Sequence, residues 1–333
     1  MLNIKVLDCT LRDGGYVNNW LFSKASITNI LSSLVAAQID YIECGFLQTE
    51  VFSESTTLFH KICNLRTYIE EFKQTKFSLM INYGEYPLTE IPSANNNKIS
   101  LRIAFKKHQL EEALLYSKEL INKGYEVSIN PMHTSTYNRS EWEYLIESVN
   151  KVSPKVFTIV DTNGAMREYE IISYYNILDK LLDKDISIGF HSHNNMQLSL
   201  ANAKCLLDIC KIRELIIDST LMGMGRGAGN LSTEVITQYL NDNLETRYDT
   251  NKILNIIEQE IQPIYTKTPW GHSLPYYLAA LHNCHPNYAK YIMENTKLSS
   301  EEVKNLFATM PIPKRTSYDI DFIKASCDKV AIS

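Results

Sequence analysis

Short apolar runs rich in β-forming residues recur along most of this chain, and segments with helical spacing separate them. Eight such runs can be counted, and they are Ile4–Asp8, Tyr41–Phe46, Phe77–Ile81, Ser100–Phe105, Glu126–Asn130, Val156–Asp161, Ser187–His191 and Glu214–Asp218. Many of them are apolar at consecutive positions, as expected for parallel strands covered on both faces. The alternation therefore predicts an α/β fold built from successive βα units.

The segment after the first run shows what lies between the strands. Ser23 is a candidate helix cap, and Ile27, Ile30 and Leu34 behind it share one helical face. Eight strands with crossover helices predict a (β/α)8 TIM barrel, whose active site lies at the C-terminal ends of the strands. An open doubly wound sheet is the main alternative. It normally carries its glycine-rich turn after the first strand, whereas the glycine-rich run Gly223–Asn230 follows the eighth, which favours the barrel.

Beyond about residue 247 the alternation stops and the chain has helical character. The segments concerned are Asn251–Ile261, Leu274–His282, Ser300–Phe307 and Asp321–Cys327. We therefore predict a TIM-barrel catalytic domain over residues 1–246 and a helical C-terminal extension over 247–333. No low-complexity linker separates them, so we expect the extension to pack on the barrel mouth or on a second subunit.

Composition narrows the classes of function. A net charge of -5 gives no basic footprint for nucleic acid, and no apolar segment is long enough to span a bilayer. The seven cysteines are odd in number and include no Cys-x-x-Cys pair, which argues against a disulfide framework and against a zinc ribbon. The N-terminus lacks the pattern of a secretion signal. We expect a cytoplasmic protein that acts on small molecules.

Two polar stretches at strand ends carry the chemistry. Arg12 and Asp13 follow the first run and precede two glycines, which allow backbone and ligand to approach closely. His191 and His193 are two residues apart on the seventh strand, so both imidazoles point to the same side. With Asp13 as the carboxylate, the three side chains would suit Mg2+, Mn2+, Co2+, Fe2+ or Zn2+ and leave positions open for a bidentate substrate.

Other strand ends supply further candidates. Glu43 lies inside an apolar run, where an ionised carboxylate needs a partner, and Arg12 is the nearest plausible one. A guanidinium positioned beside a metal would stabilise an enolate oxygen. Thr162 follows the sixth strand and could donate a hydrogen bond to a substrate carboxylate. The run Gly223–Asn230 could cradle a phosphate, or Asn230 could reach the metal directly or through water.

Together these motifs resemble the metal-dependent aldolase and acyl-transfer barrels called DRE-TIM metallolyases, over roughly residues 1–240 and in the expected order. The matching motifs are Asp8-x-Thr10-Leu11-Arg12-Asp13-Gly14, Ile42-Glu43-x-Gly45, Asp161-Thr162-x-Gly164, His191-x-His193-Asn194 and Gly225-x-Gly227-x-Gly229-Asn230. That superfamily includes 4-hydroxy-2-oxovalerate aldolase, 3-hydroxy-3-methylglutaryl-CoA lyase and the isopropylmalate and homocitrate synthases.

The resemblance implies a metal site. It gives Asp13, His191 and His193 as ligands of a divalent ion such as Mn2+, Mg2+, Co2+ or Zn2+, and it places Asn230 near that ion.

The resemblance also implies roles towards the substrate. Arg12 would stabilise the enolate, Glu43 would pair with Arg12, and Thr162 would contact the carboxylate of a keto acid. The motif Asp161–Met166 and the short chain look most like the pyruvate-dependent aldolases of the superfamily.

One position departs from that pattern. The pyruvate aldolases carry a histidine as general base two residues after Arg-Asp-Gly, and this chain has Tyr16 there. The lyase cysteine of the glycine-rich loop is also missing. Tyr16 could transfer the proton directly or through water, or Trp270–Tyr277 could supply the group, with His272 and Tyr276 as candidates. Further options in the extension are His282, His285 and Tyr288.

The sequence thus predicts a divalent-metal-dependent aldolase, a carbon-carbon lyase that acts through a metal-bound pyruvate enolate with an aldehyde as its partner. One alternative is an acyl-CoA condensing synthase of the same superfamily, which the short C-terminal extension disfavours. The other is a non-catalytic barrel that binds a metabolite or a partner enzyme, suggested by Tyr16. The extension is compatible with a homodimer, and a partner dehydrogenase accompanies some relatives.

Overall fold

Eight parallel strands form the centre of the molecule in the computed structural model, which describes residues 3–50, 52–72, 75–94, 99–244 and 247–332. They are β1 Ile4–Asp8, β2 Tyr41–Leu47, β3 Lys76–Asn82, β4 Ile99–Phe105, β5 Val127–Pro131, β6 Val156–Asp161, β7 Ser187–Ser192 and β8 Leu215–Ser219. Each strand pairs with the next, and β1 pairs with both β2 and β8. The closed sheet confirms the predicted (β/α)8 TIM barrel.

The strand register brings the polar strand ends to one mouth. Asp8 at the end of β1 pairs with Ser219 of β8, and Asp161 at the end of β6 pairs with Ser192 of β7. Because all eight strands are parallel, their carboxyl ends lie on the same side of the barrel.

In the described part of the chain, helices of eight residues or more cover most of the barrel's outer face. They are α1 Lys24–Ala36, α2 Ile62–Ile69, α3 Leu110–Asn122, α4 Arg139–Val152, α5 Glu168–Leu181, α6 Ser199–Ile209 and α7 Thr233–Asn243. The Ser23 hydroxyl oxygen accepts a hydrogen bond from Ser26 N at 3.0 Å, which fixes the start of α1. The predicted face of α1, with Ile27, Ile30 and Leu34, is fully buried.

The connection between β3 and β4 departs from the βα repeat. Its described residues, 83–94, contain one 3-10 turn, Leu88–Glu90, and no α-helix. Buried Tyr86 and Ile91 cover this side of the sheet, and the Tyr86 hydroxyl donates to the carbonyl oxygen of His60 at 2.7 Å. With Ala94, three buried residues of this connection belong to the main core, where a crossover helix was expected.

The C-terminal part of the chain is helical, as predicted. Its helices of six residues or more are α8 Thr250–Ile256, α9 Gln262–Lys267, α10 Leu274–Leu281, α11 Pro286–Asn295, α12 Ser300–Thr309 and α13 Ile320–Ile332, and a short helix, Ile312–Arg315, lies before α13. A π-helical turn, Ile257–Ile261, joins α8 to α9, and α11 was not predicted. None of the described helices combines the length and the apolar character that a membrane crossing would need.

These helices divide between two hydrophobic clusters. Ile253 and Ile256 of α8 belong to the main core around the barrel, whereas Tyr288 and Phe307 belong to a second core within α10–α13. The domain boundary predicted between residues 246 and 247 stays a prediction, and residues 245 and 246 lie outside the described ranges.

The C-terminal helices pack on the mouth of the barrel. Asn163, in the loop after β6, donates from Nδ2 to Oδ1 of Asn283 at 2.8 Å. Trp270 donates from Nε1 to the carbonyl oxygen of Met222 at 3.0 Å. The expected packing of the extension on the barrel mouth is therefore present within a single chain.

Candidate active site

Three predicted ligands meet at the barrel mouth. Side-chain atoms of Asp13, His191 and His193 all lie within 4.8 Å of one another, and all three residues are buried. The two imidazole rings are 5.4 Å apart and almost perpendicular. Asp13 is held in a buried turn after β1, where its backbone N donates to the carbonyl oxygen of Cys9 at 2.8 Å.

The surroundings of these side chains fit a divalent cation. His191 is hydrogen bonded through Nδ1 to Asp218 at 3.1 Å, which leaves its Nε2 for a ligand. His193 Nε2 lies 3.9 Å from Oδ2 of Asp13, too far for a hydrogen bond but a spacing that two ligands of one ion can adopt. Asn230 donates from Nδ2 to that same oxygen at 2.6 Å, and its Oδ1 is buried with no partner among the described residues. One carboxylate and two imidazoles are an appropriate donor set for such a cation.

The protonation states also suit metal binding. Burial lowers the pKa of His193 to about 3, so this imidazole is neutral at neutral pH. Burial alone would raise the pKa of Asp13, but Arg12, the two histidines and the Asn230 hydrogen bond together hold it well below its ordinary value. Both groups are therefore in the state that a ligand requires.

Arg12 is fixed by two carboxylates. Its Nε donates to Oε2 of Glu43 at 2.6 Å, and its Nη1 contacts Oδ1 of Asp13. The second oxygen of Glu43 lies 3.2 Å from Nη1 of Arg102, whose Nη2 donates to Asp218 at 2.5 Å. These side chains form one buried network in which each residue is at most 5% exposed; its members are Arg12, Asp13, Glu43, Arg102 and Asp218. The network reaches His191, because Asp218 is the hydrogen-bond partner of that residue.

Sequence reasoning missed two members of this network. Arg102 lies in the middle of β4 and Asp218 near the end of β8, each inside an otherwise apolar strand. The signal that identified Glu43, a charge within an apolar run, was present at both positions.

A cavity of about 550 Å3, a volume that includes space open to solvent, lies beside the candidate metal ligands. Thr162 and Tyr16 line it together with Arg12 and Asp13. Thr162 accepts a hydrogen bond at Oγ1 from the backbone N of His133 at 2.8 Å, so its own hydroxyl proton is available to a substrate. These four predicted residues face one space.

Tyr16 forms part of the cavity wall in a cluster of aromatic rings. Its ring meets that of Trp20 edge-on, with centroids 4.7 Å apart. Burial raises the pKa of Tyr16, and the nearby guanidinium of Arg226 only partly opposes this effect. The phenol therefore keeps its proton at neutral pH.

Three of the residues proposed from the C-terminal extension, His272, Tyr276 and Tyr288, lie outside this cavity. His272 and Tyr276 line a second, wider cleft of about 1350 Å3, which includes space open to solvent and does not contain Asp13. Tyr16 and Arg226 border both spaces. Tyr288 is buried in the second core, where its hydroxyl lies within 2.9 Å of two backbone carbonyl oxygens, so it has a structural role.

Arg226 and His285 are two further residues at this mouth. The Arg226 Cζ lies 5.2 Å from the centre of the Tyr16 ring, and its Nη1 lies 3.4 Å from Nε2 of His285. His285 was among the options from the extension, whereas no role was predicted for Arg226. A cation within a glycine-rich loop is the only signal that the sequence offers for Arg226.

Comparison with known proteins gives a family match and distant relatives. A family model described as HMGL-like matches residues 3–259. An oxaloacetate decarboxylase of Mycobacterium tuberculosis is 27% identical over 237 residues, which are 71% of this chain and 69% of the relative. A 4-hydroxy-2-oxovalerate aldolase of Geobacillus thermodenitrificans is 25% identical over 270 residues, which are 79% of this chain and 77% of the relative.

Solved structures agree on the fold. The N-terminal domain of a proposed aldolase from Bacteroides vulgatus has a TM-score of 0.76 and 27% identity, covering 88% of this chain and 97% of the domain. The HMG-CoA lyase of Brucella melitensis has a TM-score of 0.65 and 13% identity, covering 80% of this chain and 100% of the lyase. At that identity the lyase supports the barrel architecture alone.

Proposed function

The chain belongs to the HMGL-like family, and with it to the DRE-TIM metallolyases, and from this premise we propose that it is a divalent-metal-dependent aldolase that uses a pyruvate enolate. In the proposed reaction a carbon-carbon bond to an aldehyde is formed or cleaved. The proposal rests above all on one observation, the convergence of Asp13, His191 and His193 beside a guanidinium that buried Glu43 holds in place.

In this proposal each residue has a separate role, which we assign from its contacts. A divalent cation held by Asp13, His191 and His193 would polarise the oxygens of a 2-oxo acid and stabilise the negative charge of its enolate. Arg12 donates to the enolate oxygen, because its two carboxylate contacts fix its direction while leaving guanidinium N–H groups for the substrate. Thr162 donates to the carboxylate of the 2-oxo acid.

Tyr16 is proposed as the proton donor. Burial raises the pKa of the Tyr16 phenol, so the group is protonated at neutral pH and is in the state of a general acid, not of a base. Tyr16 therefore protonates the aldehyde oxygen as the new bond forms, directly or through water. Formation of the enolate from pyruvate also releases a proton from C3, which passes to water in the cavity. His272 and Tyr276 remain predictions for residues that relay this proton, from the cleft that adjoins the cavity at Tyr16.

Decarboxylation of oxaloacetate is a second candidate, favoured by the relative of that name. Loss of carbon dioxide from oxaloacetate leaves the same pyruvate enolate as aldol cleavage, so the same residues would serve both reactions. Release of pyruvate from oxaloacetate in the absence of aldehyde identifies this activity. Release of thiol from acetyl-CoA with 2-oxo acids would instead identify a condensing synthase.

Metal content and exchange of the pyruvate C3 protons with deuterium test the proposal. We expect the wild type to hold one divalent cation per chain and to exchange, and His191→Ala to lose both properties. Arg12→Lys should keep the metal while exchange falls by about 100- to 1000-fold, since the fixed donor is lost.

His108→Ala, at an exposed position outside the site, is the matched control and should behave as the wild type. Unchanged exchange in both His191→Ala and Arg12→Lys would contradict the mechanism. A wild type that neither binds Mn2+, Mg2+, Co2+ or Zn2+ nor exchanges pyruvate would favour a non-catalytic barrel.

A further inference from the structure

Arg226 borders the candidate substrate cavity and forms no ion pair with an acidic side chain of the described residues. It lies where the cavity with Asp13 meets the wider cleft. Every ion pair found between an arginine and a carboxylate of the described residues is made by an arginine other than Arg226. The Arg226 Nε is buried without a hydrogen-bond acceptor among these residues. A guanidinium offers five N–H donors, and leaving buried donors unpaired is unfavourable.

His285 is a second donor at the same place, as its hydrogen bonds show. Its Nδ1 accepts from the backbone N of Asn287 at 3.2 Å, where α11 begins. Burial lowers the pKa of His285 well below its ordinary value, so the ring carries a single proton. Because Nδ1 is the acceptor, that proton lies on Nε2.

The approach of His285 to Arg226 is therefore a meeting of two donors. The nitrogen atoms His285 Nε2 and Arg226 Nη1 lie 3.4 Å apart. Since each of them carries hydrogen and has no free lone pair, neither can accept a hydrogen bond from the other. Two adjacent donors, one of them cationic, can both donate to a single anionic oxygen that lies beside them.

The glycine-rich loop determines where Arg226 lies. A Cβ on Gly225 would be 3.1 Å from Oδ2 of Asp13, so the loop passes against this candidate metal ligand one residue before Arg226. Gly227 has a φ of +70°, and the backbone N of Ala228 donates to Oδ1 of Asn195 at 2.7 Å. The loop is thus held beside the metal ligands with its cationic side chain towards the cleft.

From this arrangement we propose that Arg226 and His285 form an anion-binding subsite for the second substrate, and that the aldehyde carries a carboxylate or a phosphate. The assignment of the anion to an aldehyde rests on the proposed function. The wider cleft has space for the part of such a substrate beyond its carbonyl carbon, and its lining includes Tyr265, Trp270 and the ion pair of Lys290 with Glu294.

Pairs of aldehydes that differ in charge test the proposal. Comparing succinic semialdehyde with butanal tests recognition of a carboxylate. Comparing glycolaldehyde phosphate with glycolaldehyde tests recognition of a phosphate. We expect the wild type to prefer the charged member of at least one pair in kcat/KM by roughly 10- to 100-fold, as expected for charge-assisted hydrogen bonds. Arg226→Gln should bring that ratio close to one, and Arg226→Lys should restore part of it.

Two further variants make the comparison specific. Arg139→Gln removes a guanidinium that is 79% exposed, and it should keep the wild-type ratio. His285→Asn keeps an acceptor at the start of α11 but loses the Nε2 proton, so the ratio should fall by a smaller factor, about 3- to 10-fold. A wild type without preference, or an Arg226→Gln variant with an unchanged ratio, overturns the proposal. An Arg226→Gln variant that weakens the binding of pyruvate and leaves the preference between aldehydes unchanged also overturns it.

Direct binding separates this inference from the proposed function. Calorimetry with succinate and with inorganic phosphate needs no turnover, and we expect Arg226→Gln to bind the preferred anion at least 10-fold more weakly than wild type and Arg139→Gln do. If the wild type does not exchange pyruvate protons, the proposed function fails, while this loss of binding still supports the subsite. Equal binding by wild type and Arg226→Gln refutes the subsite even if exchange is observed.

Discussion

Replacing Glu43 by glutamine should destabilise the protein strongly. The Glu43 carboxylate is fully buried and lies between two guanidiniums, 2.6 Å from Nε of Arg12 and 3.2 Å from Nη1 of Arg102. Glutamine has nearly the same shape but no charge, and its NH2 group must face one of these two sets of donors. The variant therefore leaves two buried cations short of a counter-charge.

The contacts indicate the size of the effect. Removing one partner of a buried ion pair typically costs about 3–5 kcal/mol of unfolding free energy, because the remaining charge stays desolvated. For a chain of this size that cost corresponds to a fall of roughly 4–7 °C in the melting temperature. Arg12 also loses its orientation, so pyruvate proton exchange should fall by about 10- to 100-fold at saturating metal.

Thermal unfolding followed by circular dichroism measures the first effect. The matched control is Glu54→Gln, since Glu54 pairs with Lys24 at 2.9 Å with both side chains more than half exposed. An exposed pair contributes about 1 kcal/mol or less, so the control should melt within about 2 °C of the wild type. A Glu43→Gln variant that melts as high as Glu54→Gln would refute the reasoning about the buried network.

Four further changes give distinct outcomes. Asp218→Asn should weaken metal binding by about 10- to 100-fold in metal titrations, because the imidazole of His191 loses its charged partner. Tyr16→Phe should keep the metal but slow aldol addition by about 100-fold or more in steady-state assays, since the ring remains and the proton donor is lost. Burial lowers the pKa of His133 to about 4, so the unfolded chain binds a proton between pH 6.5 and 4 that the folded chain does not, and stability should fall with falling pH by up to about 1.4 kcal/mol per unit. His133→Asn should lose this part of the slope in urea unfolding measured across that range. Gly227→Ala should lower unfolding free energy by about 1–2 kcal/mol in urea titrations, because alanine is strained at a φ of +70°.

Local patterns were sufficient for much of the fold. All eight predicted strands are present, with each end within one residue of the prediction, because apolar β-rich runs and helical spacing are properties of neighbouring residues. The connection between β3 and β4 is the exception. There, within residues 83–94, Tyr86 and Ile91 cover the sheet without a helix, and the packing that permits this is not visible in a local pattern.

Part of the candidate site was also accessible from the sequence. The spacing of His191 and His193 placed both rings on one side of a strand, and their meeting with Asp13 follows from the common direction of the strand ends. The pairing of Glu43 with Arg12 required only that an ionised carboxylate in an apolar strand find a nearby cation.

The remaining contacts depend on closure of the barrel. Arg102 and Asp218 are 116 residues apart and meet only because β4 and β8 face each other across the interior. Arg226 and His285 meet only because the helices after β8 return to the mouth. Sequence alone thus determined the strands and the residue types at their ends, since these follow from periodicity and from the need to neutralise buried charge. The tertiary structure decided which distant charges share a partner and which donors are left for a substrate, because these depend on the relative positions of elements that are far apart in the chain.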